Sequence, residues 1–267
     1  MLSTLEPAQP CRSGGGLSWQ LLTDPPTYPP AALLPPGLRG RLLTVADADP
    51  LAALRRTVVG CQLENPNYYR FEAESPDFPT THLSPRGPGA KGLIAGLFDA
   101  EGALIAYGAL TLPAPGEPGR ADVLSLPSSE RDQIAYLASA MVRADWRYQG
   151  LHHFLINWRL SLAQSLHRRH LVSAVWPGNH QSWGHLVAHG LPAKKLARVG
   201  TGLKRLVLHR DMEAPLPQPD PASRILIPLE QLAAQEPRFD AGYWLWRRIK
   251  GPNGIHGELA LPSPVGV

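Results

Sequence analysis

The chain has 267 residues, 43% of them hydrophobic, and a formal net charge of +4. That suffices for one large domain or two small ones with an ordinary globular core, and no apolar run approaches the roughly 20 residues that span a bilayer. The two cysteines, Cys11 and Cys61, are too few for a disulfide framework, and Met1 to Pro7 lacks the basic-then-apolar order of a secretory signal. A reducing, cytoplasmic location is the expectation.

Residues 1–38 read as a tail, because Gly14-Gly-Gly16 and three Pro-Pro pairs leave no room for a regular element. Arg41 to Val45 is a short strand candidate. Asp49-Pro50 supplies a cap and a first-turn proline for a helix over Leu51 to Leu63. Asn65 to Gly89 is polar, aromatic and rich in proline, and reads as a long loop with room for a short helix. Lys91 to Phe98 and Ala103 to Leu112 form a hairpin pattern around Asp99-Ala-Glu-Gly102. After the loop Pro113 to Pro127, the apolar run Ile134 to Val142 is a strand.

A basic turn, Arg147-Tyr-Gln-Gly150, follows, and an amphipathic helix opens at Leu151 and runs to Arg168. Leu151, Phe154, Leu155, Trp158, Leu162 and Leu166 have the spacing of its buried stripe. Leu171 to Trp176 is a strand, Gln181 to His189 a short helix stopped by Gly190 and Pro192, and Leu203 to His209 a further strand. Pro215 to Pro221 is a linker. Beyond it the pattern predicts a strand over Arg224 to Leu229 and an amphipathic helix over Leu232 to Lys250. The expected organisation is a tail (1–38), an α/β domain (39–213), a linker (214–223) and a C-terminal strand-helix extension (224–267), without internal repeats.

The centre of the chain carries the functional signal. A strand feeding a glycine turn that opens a helix is an anion cradle: turn N–H groups and the unpaired N–H groups of the first helical turn converge, and the helix dipole adds positive charge. Residues 136–213 hold eleven Lys and Arg against Asp145, Asp211 and Glu213, so this half is basic while the rest is acidic. A basic half suits a phosphorylated ligand or a nucleic acid, or is simply a solvated surface. Seven of the ten histidines lie between His152 and His189, yet no HExxH motif is present and neither cysteine is near, so no metal is expected.

The segment Val142-Arg-Ala-Asp-Trp-Arg147-Tyr-Gln-Gly150-Leu-His152 resembles the signature of the GNAT superfamily, the acyl-CoA-dependent N-acetyltransferases. That signature is a strand followed by Arg/Gln-x-x-Gly-x-Gly/Ala at a helix start. Downstream, the strand Leu171 to Trp176, Asn179, Ser182 and Gly190-Leu191 also stand at family spacing, and the resemblance covers about 170 of 267 residues. It implies a mixed, mostly antiparallel central sheet flanked by helices and splayed at the signature strand. It implies acetyl-CoA as cosubstrate. The backbone of Ala140, Met141 and Val142 would pair with the pantetheine. Arg147, Tyr148, Gln149, Gly150, Leu151 and His152 would hold the pyrophosphate, with Asn179 and Ser182 on the pantetheine arm.

Three positions depart from the family. His152 replaces a Gly or Ala where backbone approaches the phosphates. Leu186 stands where the family often has a tyrosine acid, and Tyr136 where some members have a carboxylate base. No catalytic acid or base is therefore assigned. The reading is an N-acetyltransferase acting on a primary amine, small-molecule or peptide, free to form a homodimer and with no membrane partner. The alternative is a catalytically weak acyl-CoA sensor or scaffold. A nucleic-acid role finds no helix-turn-helix, zinc module or aromatic RNA-binding motif. Tyr68, Tyr69, Glu72, Glu74 and Asp77 suggest an aromatic, acidic lip on the acceptor side.

Overall fold

The computed structural model describes residues 34–60, 82–83, 91–114, 116–117, 119–200 and 202–263. The expected tail up to residue 33, the end of the first helix beyond Gly60, the acidic lip and most of the long loop lie outside them. Among the described residues ten strands form one sheet in the order β1-β2-β3-β4-β5-β7-β6-β10-β11-β9. In chain order these are β1 (Arg39–Leu42), β2 (Gly92–Phe98), β3 (Leu104–Thr111), β4 (Ile134–Val142), β5 (His170–Val175), β6 (Ala193–Val199), β7 (Leu203–Asp211), β9 (Ile225–Pro228), β10 (Trp244–Gly251) and β11 (Gly254–Ala260). A two-residue pair, β8 (Gln218–Pro219) with β12 (Pro262–Ser263), stands apart. The helices are α1 (Ala48–Gly60), α2 (Leu151–Ser165), α3 (His180–Ala188) and the short α4 (Glu236–Asp240).

The hairpin β2–β3 forms as its turn residues dictate. The Asp99 side chain accepts from the Ala103 N–H at 2.7 Å, and Gly102 takes φ +84. Both strands are buried along almost their whole length because helices cover both faces. α1 packs Leu51, Leu54 and Val58 against Ile94, Tyr107 and Ala109 on one face. α2 packs the expected stripe of Leu151, Phe154, Leu155, Trp158 and Leu162 against Leu93, Leu97 and Leu110 on the other. α1 starts earlier than expected. A capping box of Thr44 with Asp47 and a short 3-10 turn lead into it, and Arg41 clamps the Asp47 carboxylate at 2.6 and 2.7 Å.

β4 is the strand on which the sheet turns. It pairs antiparallel with β3 through Val142, but parallel with β5 only at Ile134, Ala135 and Tyr136. Past Tyr136 the two strands part. A bulge sits at the fork, since Gly108 faces Ala140 while Leu110 faces Leu137, leaving an extra residue on β4. Arg159 of α2 lies buried beneath it. Its Nη1 donates to the carbonyls of Ala109 and Ala138, each at 3.3 Å, and its Nε to Leu155 at 3.0 Å. Gly108 makes room for this side chain, because a Cβ there would lie 2.8 Å from Arg159 Nε.

The C-terminal segment differs from expectation. The helix predicted over Leu232 to Lys250 is a 3-10 turn (Leu229–Ala234), the one-turn α4 and then strand β10, which forms a hairpin with β11. Gly242 at φ +92 stops the helix, the aromatic and branched run Trp244 to Ile249 favours strand, and Pro252-Asn-Gly254 supplies a hairpin turn. β10 joins the main sheet through a Leu245–Ala193 pair with β6. β6 itself has no element in the sequence reading, because Lys194 and Lys195 interrupt its apolar pattern.

Gly108→Val should destabilise the fold by about 1–3 kcal/mol, the usual range for overpacking a filled core. Gly108→Ser should cost less. Urea unfolding of the two variants checks the order.

Candidate active site

Among the described residues, the parting of β4 from β5 leaves the β4 edge from Leu137 to Val142 without a neighbouring strand on that side. Two groups engage its first residues: Ser173 Oγ donates to the Leu137 carbonyl at 2.9 Å, and Arg159 reaches Ala138. Ala140, Met141 and Val142 follow at the mouth of the cleft. Beside them the Ser139 hydroxyl lies 2.7 Å from the phenol oxygen of the buried Tyr107, a part-buried pair that the sequence reading missed.

The chain then turns through a 3-10 segment (Ala144–Trp146) into α2. Tyr148 has φ +65 and is 97% exposed, and Gly150 caps the helix at φ +77. Such angles turn successive amides toward one side, as in anion-binding nests. Among the described residues, the N–H groups of Tyr148 to His153 donate to no backbone carbonyl; the first such bond is from Phe154 to Gly150 at 3.0 Å. The first turn of α2 carries no acidic residue, so its dipole is uncompensated. A Cβ on Gly150 would meet open space, so what confines this position to glycine is its φ. Arg147 Nε donates to the Val142 carbonyl at 3.3 Å, tying the turn to the strand end. Arg143 is held by Asp145 at 2.8 Å. The backbone N–H groups of Tyr148 to His153 are thus the donors that the described residues leave without a backbone acceptor.

On the other arm, Asn179 caps α3: its Oδ1 accepts from the Ser182 N–H at 3.2 Å. Histidines join the arms. His152 Nδ1 lies 2.8 Å from His185 Nδ1, and His153 Nδ1 lies 2.9 Å from His189 Nε2. The His152 ring thus turns to α3. The sequence placed His185 and His189 on one helix face, but their partners across the interface had no sequence signal. Desolvation holds all four below the ordinary imidazole value, with the Arg159 charge adding to it at His152 and His185 reaching about 4. Among the described residues no group of three or more His, Cys, Asp or Glu is arranged to hold a metal.

Solved structures share this architecture. A GCN5-related N-acetyltransferase from Kribbella flavida is 20% identical, with 67% of this chain and 99% of that one superposed at a TM-score of 0.50. An N-acetyltransferase from Staphylococcus aureus Mu50 is 14% identical, covering 66% and 99%, also at 0.50. The chain has the GNAT fold. A Salmonella typhimurium protein solved with its cofactor acetyl-CoA is 12% identical, covering 69% and 99% at 0.50. No protein-family model matches the chain, and no curated protein matches it.

The two positions where the sequence reading expected an acid or a base are apolar or enclosed. Leu186 is buried in the core. Tyr136 packs beneath the 113–127 loop with Ala121 and Val207, and burial pushes its phenol up from its ordinary value. Tyr136→Phe should therefore lower any turnover by less than the roughly hundredfold expected for loss of a general base. A steady-state assay at saturating donor measures it.

The histidine pairs predict a pH dependence of stability. Each ring binds its proton less well folded than unfolded, so between about pH 6.5 and pH 4 the unfolded chain holds more protons. Stability should be full at pH 7 and fall as pH drops through that window, whose upper part lies above the range where carboxylates titrate. Melting temperatures from pH 7.5 to 4.5 measure the slope, which should flatten in His185→Asn.

Proposed function

We propose that the protein is a GNAT-superfamily acetyltransferase that moves an acetyl group from acetyl-CoA to a primary amine. The observation that carries this reading is the free edge of β4 running directly into a turn of unpaired N–H groups at the start of α2. Pantetheine is an amide chain and can add to such an edge as a strand would. The pyrophosphate would lie over residues 147–152, with Asn179 and Ser182 beside the arm.

The thioester supplies an activated carbonyl. The work left to this chain is to bind, orient and exclude water, which alone accounts for large rate gains. The Tyr107–Ser139 hydroxyl pair is the polar group at the bulge, and a neutral amine needs no strong base to attack. The rate should rise with pH as the acceptor deprotonates.

A second reading is an acyl-CoA-binding sensor or scaffold. It is favoured by Leu186 in the core and by Tyr136 enclosed beneath a loop, because both remove a proton carrier while leaving the cradle intact. Release of free thiol from acetyl-CoA, with and without a panel of small amines and N-terminal peptides, separates the two. Amine-dependent release supports the enzyme, and tight binding without release supports the sensor.

Two variants test the cradle. Gly150→Val should abolish acetyl-CoA binding by calorimetry while the protein stays folded, because a β-branched residue is strained at φ +77 and would cover the open space. Arg147→Ala should weaken acetyl-CoA by roughly tenfold and leave acetyl-pantetheine, which lacks phosphates, almost unaffected. Equal losses with both donors would assign Arg147 to the fold through its bond to Val142.

A further inference from the structure

The opposite end of the same strands carries a second set of polar side chains. β5 begins at His170, which pairs with Ile134 at the start of β4, whereas the cradle follows Val142 at its end. Eight residues of strand separate them by roughly 26 Å.

Hydrogen-bond logic commits the carboxylates there. Arg169 Nη1 donates to Glu130 Oε1 at 2.8 Å, and Arg169 Nε and Nη2 grip Asp211 at 2.9 and 2.7 Å. Glu130 Oε2 lies 2.9 Å from His170 Nε2. An ionised carboxylate only accepts, so His170 carries a proton on Nε2, and its Nδ1 lies 3.1 Å from His209 Nε2. Both carboxylates of the cluster are thus occupied.

Two cations beside them are not. Lys194 sits at the bulge where β6 slips against β7, its Nζ 4.3 Å from the Trp244 ring centroid. Burial pulls its amine down to about 8. Among the described residues it has no ion-paired carboxylate; its neighbour Lys195 takes Asp240 instead. Among the described residues Arg210 Nε is buried without a hydrogen-bond partner, and its Nη1 lies 3.5 Å from the Gly190 carbonyl. A buried donor without an acceptor is costly, and native structures leave few of them. Both side chains line one cavity of about 230 Å³, whose remaining wall includes the apolar Leu126, Pro215 and Leu216 and the carboxylates Glu130 and Asp211, both already held by Arg169.

We propose that this cavity binds a small organic carboxylate, with its carboxylate between Lys194 and Arg210 and a short apolar body against Leu126, Pro215 and Leu216. The volume is that of roughly seven or eight waters, which suits an acid of about four carbons. An inorganic anion would satisfy the donors but leave the apolar wall uncovered. The site stands whether or not the cleft transfers acetyl groups, because neither cation belongs to the cradle.

The test is calorimetry and thermal melting of the full chain at pH 7 with butyrate, inorganic phosphate and chloride. Butyrate should bind and raise the melting temperature, and phosphate should bind more weakly. Lys194→Met and Arg210→Met should each weaken butyrate by about tenfold or more, a loss of roughly 1.4 kcal/mol. Lys194→Arg should retain it, and acetyl-CoA affinity should be unchanged in all folded variants. No heat or shift with excess butyrate would overturn the proposal. So would unchanged butyrate affinity in a folded Lys194→Met. Phosphate binding as well as butyrate would remove the organic acid from the assignment and overturn it in that form.

Discussion

The parallel contact between β4 and β5 is three residue pairs long, and the candidate site is arranged around where it stops. Two parallel strands that stayed paired would bury, in ladder bonds, those amides of residues 137–142 that point to that side. Separation leaves that edge to another partner. Something must hold the strands apart against the tendency of backbone to pair, and the bulge at Ala138 and Ser139 does so from within the strand. Arg159 supports the bulge from below. Burial lowers its pKa to about 10, still well above neutrality, so it stays charged and spends its donors on carbonyls of β3, β4 and its own helix. Gly108 is the cost in side-chain packing of placing it there.

The cradle is the continuation of that same strand. Val142 ends β4, Arg147 bonds back to its carbonyl, and the left-handed residues Tyr148 and Gly150 swing the chain into α2. The unpaired amides of the first helical turn therefore lie in line with the free edge. The histidine contacts between α2 and α3 then fix the second arm relative to the first. They do so with neutral rings, because the lack of solvent opposes protonation, joined at His152 by the positive charge of Arg159. One packed helix thus sets the bulge, the cradle and the histidine interface.

The sheet does not stop at β6. The Leu245–Ala193 pair carries it into the β10–β11 hairpin, and Trp244 of that hairpin covers Lys194. The C-terminal segment thus packs against a residue that lines the far cavity. It supplies an aromatic face to an amine that the rest of the sheet leaves without a counter-ion.

Local order was legible from the residues alone wherever one face of an element was apolar and its ends were marked. The β2–β3 hairpin, β4, α2, β5, α3 and β7 all lie where period and turn residues place them, and the glycine turn opens α2 as expected. What the sequence could not reveal depends on residues distant in the chain. The strand identity of β10 is a matter of pairing, since Leu232, Phe239 and Leu245 suit a helix until Gly242 and the hairpin partner are considered. The buried place of Arg159, the His152–His185 and His153–His189 pairs, and the Glu130–His170–His209 chain need contacts across 21 to 50 positions. Periodicity reports which face of an element is apolar. Only tertiary structure decides which polar side chains meet there, because a hydrogen bond depends on distance and direction in space and leaves no spacing in the chain.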